Sequence, residues 1–350
     1  MTSMSKPLID KHLPRNKLNL TVRDYEGSMS TLCAGCGHDS VTAALVQAFW
    51  QLDLPPESAA KVSGIGCSSK TTAYFMGQSH GINCVHGRMP SVATGANAVN
   101  GDLHYIGISG DGDSLSIGFG QFAHAIRRNL NMLYIIENNG VYGLTKGQFS
   151  ASADIGSKSK KGVANEQSPI DPCVQALTLG AGFVARAFSG DKAQLIPLIQ
   201  AGLMHKGFAL IDVISPCVTF NDHAGSTKSY AHTFKYYHPL IHTDFVAEAE
   251  EITGEYADDG AMRVTMHDGG TVVLRKTAKD YDPRDRGQAI ETLMLGGESG
   301  EIRTGLLYLN ENLSDMHASN KLPKTPLNQL PYEALNPGKA ALAKLQGRYR

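Results

Sequence analysis

The segment "TLCAGCGHDS" (31–40) sets Cys33 and Cys36 three apart in a Gly-rich turn. A thiol pair at that spacing serves as a redox dithiol, as half of a zinc site or as half of an iron–sulfur site. A four-thiolate zinc site usually shows two such knuckles, and this chain shows one. A dithiol needs no further cysteine. A cubane cluster needs four thiolates, which can come from distant loops. Of the six cysteines, Cys67 in "GIGCSS" and Cys217 in "SPC" follow apolar, strand-like runs and are the candidates to complete the set. Cys84 in "INCVHG" reads as part of a short strand and Cys173 as part of a helix. Both are expected to pack as small buried hydrophobes.

A second constellation involves oxygen. In "SGDGD" (109–113), glycines at 110 and 112 allow a sharp turn with N–H groups aimed at an anion, and a helix start adds its dipole. Asp111 would repel a bare phosphate. It makes sense where a hard cation lies between carboxylate and phosphate. Asn139, 28 residues on and after the next apolar run, offers an amide oxygen, and Val141 offers a carbonyl. With two diphosphate oxygens and a water, these three complete an octahedron around Mg²⁺.

Alternating elements must position these residues. Helical periodicity covers 40–52, with Asp39 as a plausible N-cap, then 119–129, 171–183 with Pro172 in the first turn, and 191–206 with a kink or boundary expected at Pro197. Strands with their exit turns or loops are read over 59–69, 103–113, 131–144, 183–188 and 208–217, the last stopped by Pro216. The alternation predicts an α/β fold whose mostly parallel sheet is covered by helices, with ligands beyond the carboxyl ends of the strands. Cys67, Asp111, Asn139 and Cys217 then share one edge. A small antiparallel meander is expected within 250–277, a polar extended tail over the last 25 or so residues, and a solvated basic loop at "GSKSKKG" (156–162). The resulting division is an N-terminal arm (1–20), a cofactor domain (21–235) and a C-terminal extension (236–350).

Lys and Arg total 32 against 33 Asp and Glu, so charge points to neither a nucleic acid nor a membrane surface. No stretch is long and apolar enough to cross a bilayer, and the N-terminal segment lacks a signal-peptide core. A cytoplasmic location and free rather than disulfide-bonded thiols are the expectation. The thirteen histidines show no HxH or HExxH spacing, which argues against a zinc hydrolase.

The GDG turn followed by "NNGVYG" resembles the diphosphate-binding domain of thiamine diphosphate enzymes, in which Asp111, Asn139 and the Val141 carbonyl would hold the metal. Together with "CAGCGH", "GIGCSS" and "HGRMPSVATG", it resembles the β subunit of 2-oxoacid:ferredoxin oxidoreductases over about residues 20–235. "YGLTKGQFS" and the long C-terminal region look most like members that use 2-oxoglutarate. The resemblance implies the thiamine diphosphate-binding fold, with Ile65, Gly66, Cys67, Ser68, Gly112, Asp113, Gly143 and Leu144 as cofactor contacts. It implies Cys33, Cys36, Cys67 and Cys217 around one [4Fe–4S] cluster. The implied reaction is decarboxylation of a 2-oxoacid on the cofactor, one-electron transfer through the cluster to ferredoxin, and acyl transfer to coenzyme A. It is reversible in principle as a reductive carboxylation. A larger α subunit would supply the aminopyrimidine half-site and the activating glutamate, so no general base is assigned in this chain.

Lys146 is a candidate partner for a substrate carboxylate, and His86 and Arg88 are candidates for the same mouth. His38 is expected to be a hydrogen-bonding core or loop histidine rather than a ligand, because four thiolates already suffice. Asp113 is expected to cap the following helix. Competing readings are a pyruvate or broad-specificity enzyme of the same family, a non-oxidative thiamine diphosphate decarboxylase or synthase, and a non-catalytic zinc- or cluster-binding scaffold.

Overall fold

Apolar runs punctuated by Gly, Asp and Pro become the strands of one eight-stranded sheet in a computed structural model that describes residues 13–158, 162–246, 261–265, 271–276 and 280–349. The strands are β1 (Ala59–Ser63), β2 (His80–Asn83), β3 (His104–Gly110), β4 (Met132–Asn138), β7 (Phe183–Phe188), β8 (Phe208–Ile214), β9 (Tyr237–Pro239) and β13 (Ile302–Leu309). A two-stranded hairpin, β5 (Val141–Tyr142) and β6 (Gln148–Phe149), projects after β4. The sheet order is β2-β1-β3-β4-β8-β7-β13-β9, and every pairing is parallel except β13 with β7. Every residue of β4 and β8 is buried, as a parallel sheet covered on both faces requires. The covering helices include α1 (Gly37–Gln51), α2 (Met89–Val99), α3 (Phe119–Arg127), α4 (Pro172–Leu179) and α5 (Lys192–Met204).

Local chemistry explains most helix ends. Asp171 caps α4 by accepting from the Cys173 and Val174 N–H groups, with Pro172 at the first position and Gly180 at φ 90° closing the far end. Cys173 packs there fully buried, and Cys84 is buried just past β2. Pro197 does not interrupt α5, which runs through it. Helix α1 begins two residues before Asp39, with Cys36 at the N-cap position. The reason is tertiary: the Gly37 N–H, an orphan donor of the first turn, donates to the Pro216 carbonyl at 3.2 Å, so the cap comes from a distant loop.

The sheet does not end near residue 235. The apolar run "IRTGLLYL" of β13 adds antiparallel to β7, which would otherwise present an open edge, and β9 follows it. Strands β10 (Ile241–Val246), β11 (Ala261–Thr265) and β12 (Thr271–Lys276) form a separate antiparallel sheet with β12 in the middle, so it is not a sequential meander. Residues 250–260, 266–270 and 277 of the expected meander, 159–161 of the basic loop and 1–12 of the N-terminal arm lie outside the described residues. The tail is not extended: Tyr332–Leu335 and Gly338–Gln346 are helical, with every residue exposed.

One buried network braces the sheet behind the cofactor edge. Arg186 Nε donates to Asp212 Oδ2 at 2.8 Å, Arg186 Nη2 donates to Asp171 Oδ1 at 2.7 Å, and Asn138 Nδ2 donates to Asp212 Oδ1 at 3.0 Å. Burial pushes the Asp212 carboxyl up, and the guanidinium opposes that push. Arg186→Met strands Asp212 as a buried, unpaired acid and is expected to cost about 3–5 kcal/mol in urea unfolding. Adding Asp212→Asn, which keeps the bond from Asn138, should recover most of that loss. A double variant no more stable than the single one would show that charge is not the cause.

Candidate functional site

Strands β1, β3, β4 and β8 are consecutive neighbours in the sheet, and the loops at their carboxyl ends carry Cys67, Asp111, Asn139 and Cys217. The expectation of one shared edge is borne out. A cleft there is lined by Ile65, Gly66, Cys67, Ser68, Gly112, Asp113, Gly143 and Leu144, together with Asp111, Asn139 and Val141. His38, His86, Tyr142 and Thr145 line it too. Lys146 and Arg88 are exposed and are not among its lining residues.

The GDG turn is not a simple turn into α3. Residues Gly112–Ile117 form a π-helix directly after β3, a geometry that recurs at functional sites. Gly112 is required: a Cβ there would lie 2.5 Å from the Tyr142 ring, whose hydroxyl donates to the Gly112 carbonyl at 3.0 Å.

The two aspartates of this motif are nearly fully buried and differ in their remaining capacity. Asp113 does not cap α3. Its Oδ1 accepts from the Gly87 N–H at 2.7 Å, from Ile65 N–H at 3.3 Å and from His86 Nδ1, while Oδ2 accepts from the Ser109 hydroxyl. It binds three cleft loops together. Gly64 leaves it room, because a Cβ there would sit 1.8 Å from Asp113 Oδ2. Asp111 Oδ2 accepts from the Gly140 N–H at 3.1 Å, from Ser152 Oγ at 2.5 Å and from Ser150 Oγ. Its Oδ1 has one long contact, 3.5 Å to the Asn139 N–H. That oxygen retains capacity for a cation. Asn139 Oδ1 accepts from the Val141 N–H at 3.1 Å and keeps its second lone pair. Hard oxygens on one edge suit Mg²⁺ or a similar ion.

The four candidate thiols gather through loop contacts. The Gly37–Pro216 bond joins the CxxC turn to the Cys217 loop, and Thr219 Oγ1 donates to Cys33 Sγ at 3.5 Å. A Cβ on Gly143 would lie 3.6 Å from Cys67 Sγ and 3.7 Å from Cys217 Sγ, so both sulfurs flank the thread that lines the cleft. Burial pushes the Cys36 thiol up to about 12, with Glu137 and Cys217 adding to the push, and burial likewise raises Cys67 and Cys217. Thiolates there need a compensating cation. Among the described residues, no three His, Cys, Asp or Glu side chains converge as a ready site for a single metal ion.

His38 is a buried hydrogen-bonding histidine, as expected, with Nδ1 2.6 Å from Ser215 Oγ. Burial lowers it to about 4 and raises the adjacent Glu137 carboxyl well above its usual range, and both shifts disfavour an ion pair across their 3.4 Å contact. Sequence reasoning passed over Ser150, Ser152 and Tyr142. The alternating serines of "FSAS" after the motif were the available signal for the first two.

Residues 64–213 match the thiamine pyrophosphate enzyme C-terminal TPP binding domain. The chain is 40% identical over 211 residues to a 2-oxoacid:ferredoxin oxidoreductase subunit beta of Saccharolobus solfataricus, covering 60% of this chain and 67% of that protein. It is 36% identical over 286 residues to the subunit beta of 2-oxoacid:ferredoxin oxidoreductase 2 of Aeropyrum pernix, covering 79% of this chain and 89% of the relative. The chain belongs to the 2-oxoacid:ferredoxin oxidoreductase β-subunit family. Against the β subunit of the first Aeropyrum enzyme the match spans 60% of that protein's length. A solved structure of the 2-oxoglutarate:ferredoxin oxidoreductase of Magnetococcus marinus, described with 2-oxoglutarate, coenzyme A and succinyl-CoA bound, superposes with a TM-score of 0.71 at 28% identity, covering 89% of this chain and 91% of that one. Among the described residues no helix is long and apolar enough to cross a membrane.

Asp111→Ala removes the under-used Oδ1 of the motif and orphans the donors that converge on Oδ2. Thiamine diphosphate affinity in the assembled enzyme is expected to fall by more than the ~1 kcal/mol of an ordinary surface substitution. Calorimetric titration of the cofactor checks this, and unchanged binding would move the anion site away from β3.

Proposed function

We propose that this chain is the β subunit of a coenzyme A-dependent 2-oxoacid:ferredoxin oxidoreductase whose substrate is 2-oxoglutarate. The observation that carries the reading is the placement of cation-competent oxygens, Cys67 and Cys217 on the loops after four adjacent strands, with the Cys33–Cys36 turn bonded to the Cys217 loop. Asp111, Asn139 and the Val141 carbonyl would hold Mg²⁺ against the diphosphate, and Gly112 allows close approach of the anion to backbone. Cys33, Cys36, Cys67 and Cys217 would hold a [4Fe–4S] cluster. The bound cofactors supply decarboxylation of the 2-oxoacid and one-electron transfer to ferredoxin. The residues of this chain anchor both groups on loops that touch, with Cys67 common to the cleft wall and the thiol set. The α subunit would bring the aminopyrimidine half-site and the activating glutamate. A non-oxidative decarboxylase needs no electron acceptor, so the proposed four-thiol set favours the oxidoreductase.

The decisive experiment is anaerobic co-purification with the α subunit. It should yield thiamine diphosphate, iron and sulfide, and 2-oxoglutarate- and coenzyme A-dependent reduction of a one-electron acceptor. The lone chain should show no turnover. Cys67→Ala should lose the cluster's iron, whereas Cys84→Ser and Cys173→Ser should retain it. Loss of iron in either of the latter two, with Cys217→Ser retaining it, would overturn the ligand set.

Lys146 follows Thr145, a residue that lines the cleft, and its exposed side chain extends from a backbone at φ 82°. A second substrate carboxylate needs a cation in a site closed by a partner. Lys146→Met should therefore depress kcat/KM for 2-oxoglutarate more than for pyruvate, by roughly tenfold to a hundredfold for a charge-assisted contact of about 1.5–3 kcal/mol. Equal losses for both substrates would place selectivity on the α subunit.

A further inference from the structure

His38 of α1 belongs to neither ligand set above, yet it makes a buried polar contact with the end of β4. His38 and Glu137 are both buried, and His38 Nε2 lies 3.4 Å from Asn139 Nδ2. The orientation of the Asn139 amide is fixed separately. The Val141 N–H donates to Asn139 Oδ1 at 3.1 Å, and a flipped amide would set two N–H donors against each other. Nδ2 is therefore the atom that faces the ring. A donor there requires His38 Nε2 to be the acceptor, which puts the ring proton on Nδ1. That proton has its own acceptor, Ser215 Oγ at 2.6 Å, with Glu137 Oε2 beyond it at 3.4 Å. The tautomer is thus set from both sides. Ser215 lies two residues before Cys217, and His38 lies two after Cys36.

We propose that His38 is a positioning residue for the diphosphate metal: by accepting from Asn139 Nδ2 it keeps Asn139 Oδ1 turned to the cation, and by donating to Ser215 it ties that oxygen to the loop that carries Cys217. This deepens the proposed function and rests on it. Loss of the ring acceptor would leave the amide held by the Val141 N–H alone, with Nδ2 unpartnered on the ring side and Oδ1 less firmly aimed at Mg²⁺. The two cofactor sites then share one hinge-free contact, although His38 ligates neither group.

The test is calorimetric titration of Mg²⁺ into the α–β complex in the presence of thiamine diphosphate, with iron content measured alongside. His38→Leu should weaken Mg²⁺ binding by about tenfold to a hundredfold, the usual effect of losing a residue that orients a ligand. His38→Gln, which restores an acceptor, should remain within about threefold of the parent. In an Asn139→Ala background, His38→Leu should add less than about twofold, because its effect runs through that amide. Iron should stay at the parental level in all of these variants. Parental Mg²⁺ affinity in His38→Leu, or a full further loss in the Asn139→Ala background, would overturn the proposal. If His38→Leu fails to assemble, Ser215→Ala removes the acceptor that sets the tautomer and should weaken Mg²⁺ binding several-fold; no change would overturn the proposal equally. Failure of the parent complex to bind thiamine diphosphate at any Mg²⁺ concentration would instead overturn the functional reading, and this one with it.

Discussion

Two buried carboxylates, one residue apart at the end of β3, set the terms for everything around them. Burying an anion costs far more than its neighbours return unless donors surround it. Asp113 meets that demand completely, with donors from the Ile65, His86–Gly87 and Ser109 segments. Asp111 meets it on one oxygen only. The difference divides the labour. A saturated carboxylate is a structural tie, and a half-saturated one keeps an oxygen with capacity for a further partner. Neither residue is exchangeable for the other, despite identical chemistry and adjacent positions.

The same demand reaches outward through the sheet. Ser152 Oγ donates to Asp111 and also, at 2.8 Å, to Asn138 Oδ1. Asn138 in turn donates to Asp212, and Asp212 is held by Arg186. A continuous hydrogen-bonded path thus runs from the cofactor edge across β4 and β8 to β7. Its buried members fix the register of the strands whose ends bear the site. Removing Arg186 therefore threatens both stability and the geometry of the metal oxygens.

Strand ends and the GDG–Asn pair were legible because they depend on local punctuation: an apolar run followed by Gly, Asp or Pro marks where a parallel strand stops, and ligands lie there. The start of α1, the role of Asp113 and the partners of Asp111 were not. Each is decided by a contact between distant segments, such as Gly37 with Pro216 or Ser152 with Asp111, for which hydropathy patterning carries no signal. Strand β13 was missed for a related reason. Its apolar run is plain, but its antiparallel addition to β7 bridges more than a hundred residues of sequence. His38 was read correctly as a hydrogen-bonding residue, yet its connection to Asn139 needed the fold.

On the proposed function, another subunit closes the cofactor site that this chain builds in part. Ile65, Val85, Ile117, Leu144 and Val218 are 38%, 75%, 45%, 50% and 37% exposed, and all five lie in the segments that follow the carboxyl ends of strands. Apolar side chains held open beside charged oxygens are poor company in water. Covered by a partner subunit, they would exclude solvent and strengthen every electrostatic contact between Asp111, Asn139 and the diphosphate. The dry surface that gives those contacts their strength is left to the partner. On that division, assembly and cofactor affinity rise together, and a β subunit alone would hold the diphosphate in the right geometry but the wrong dielectric.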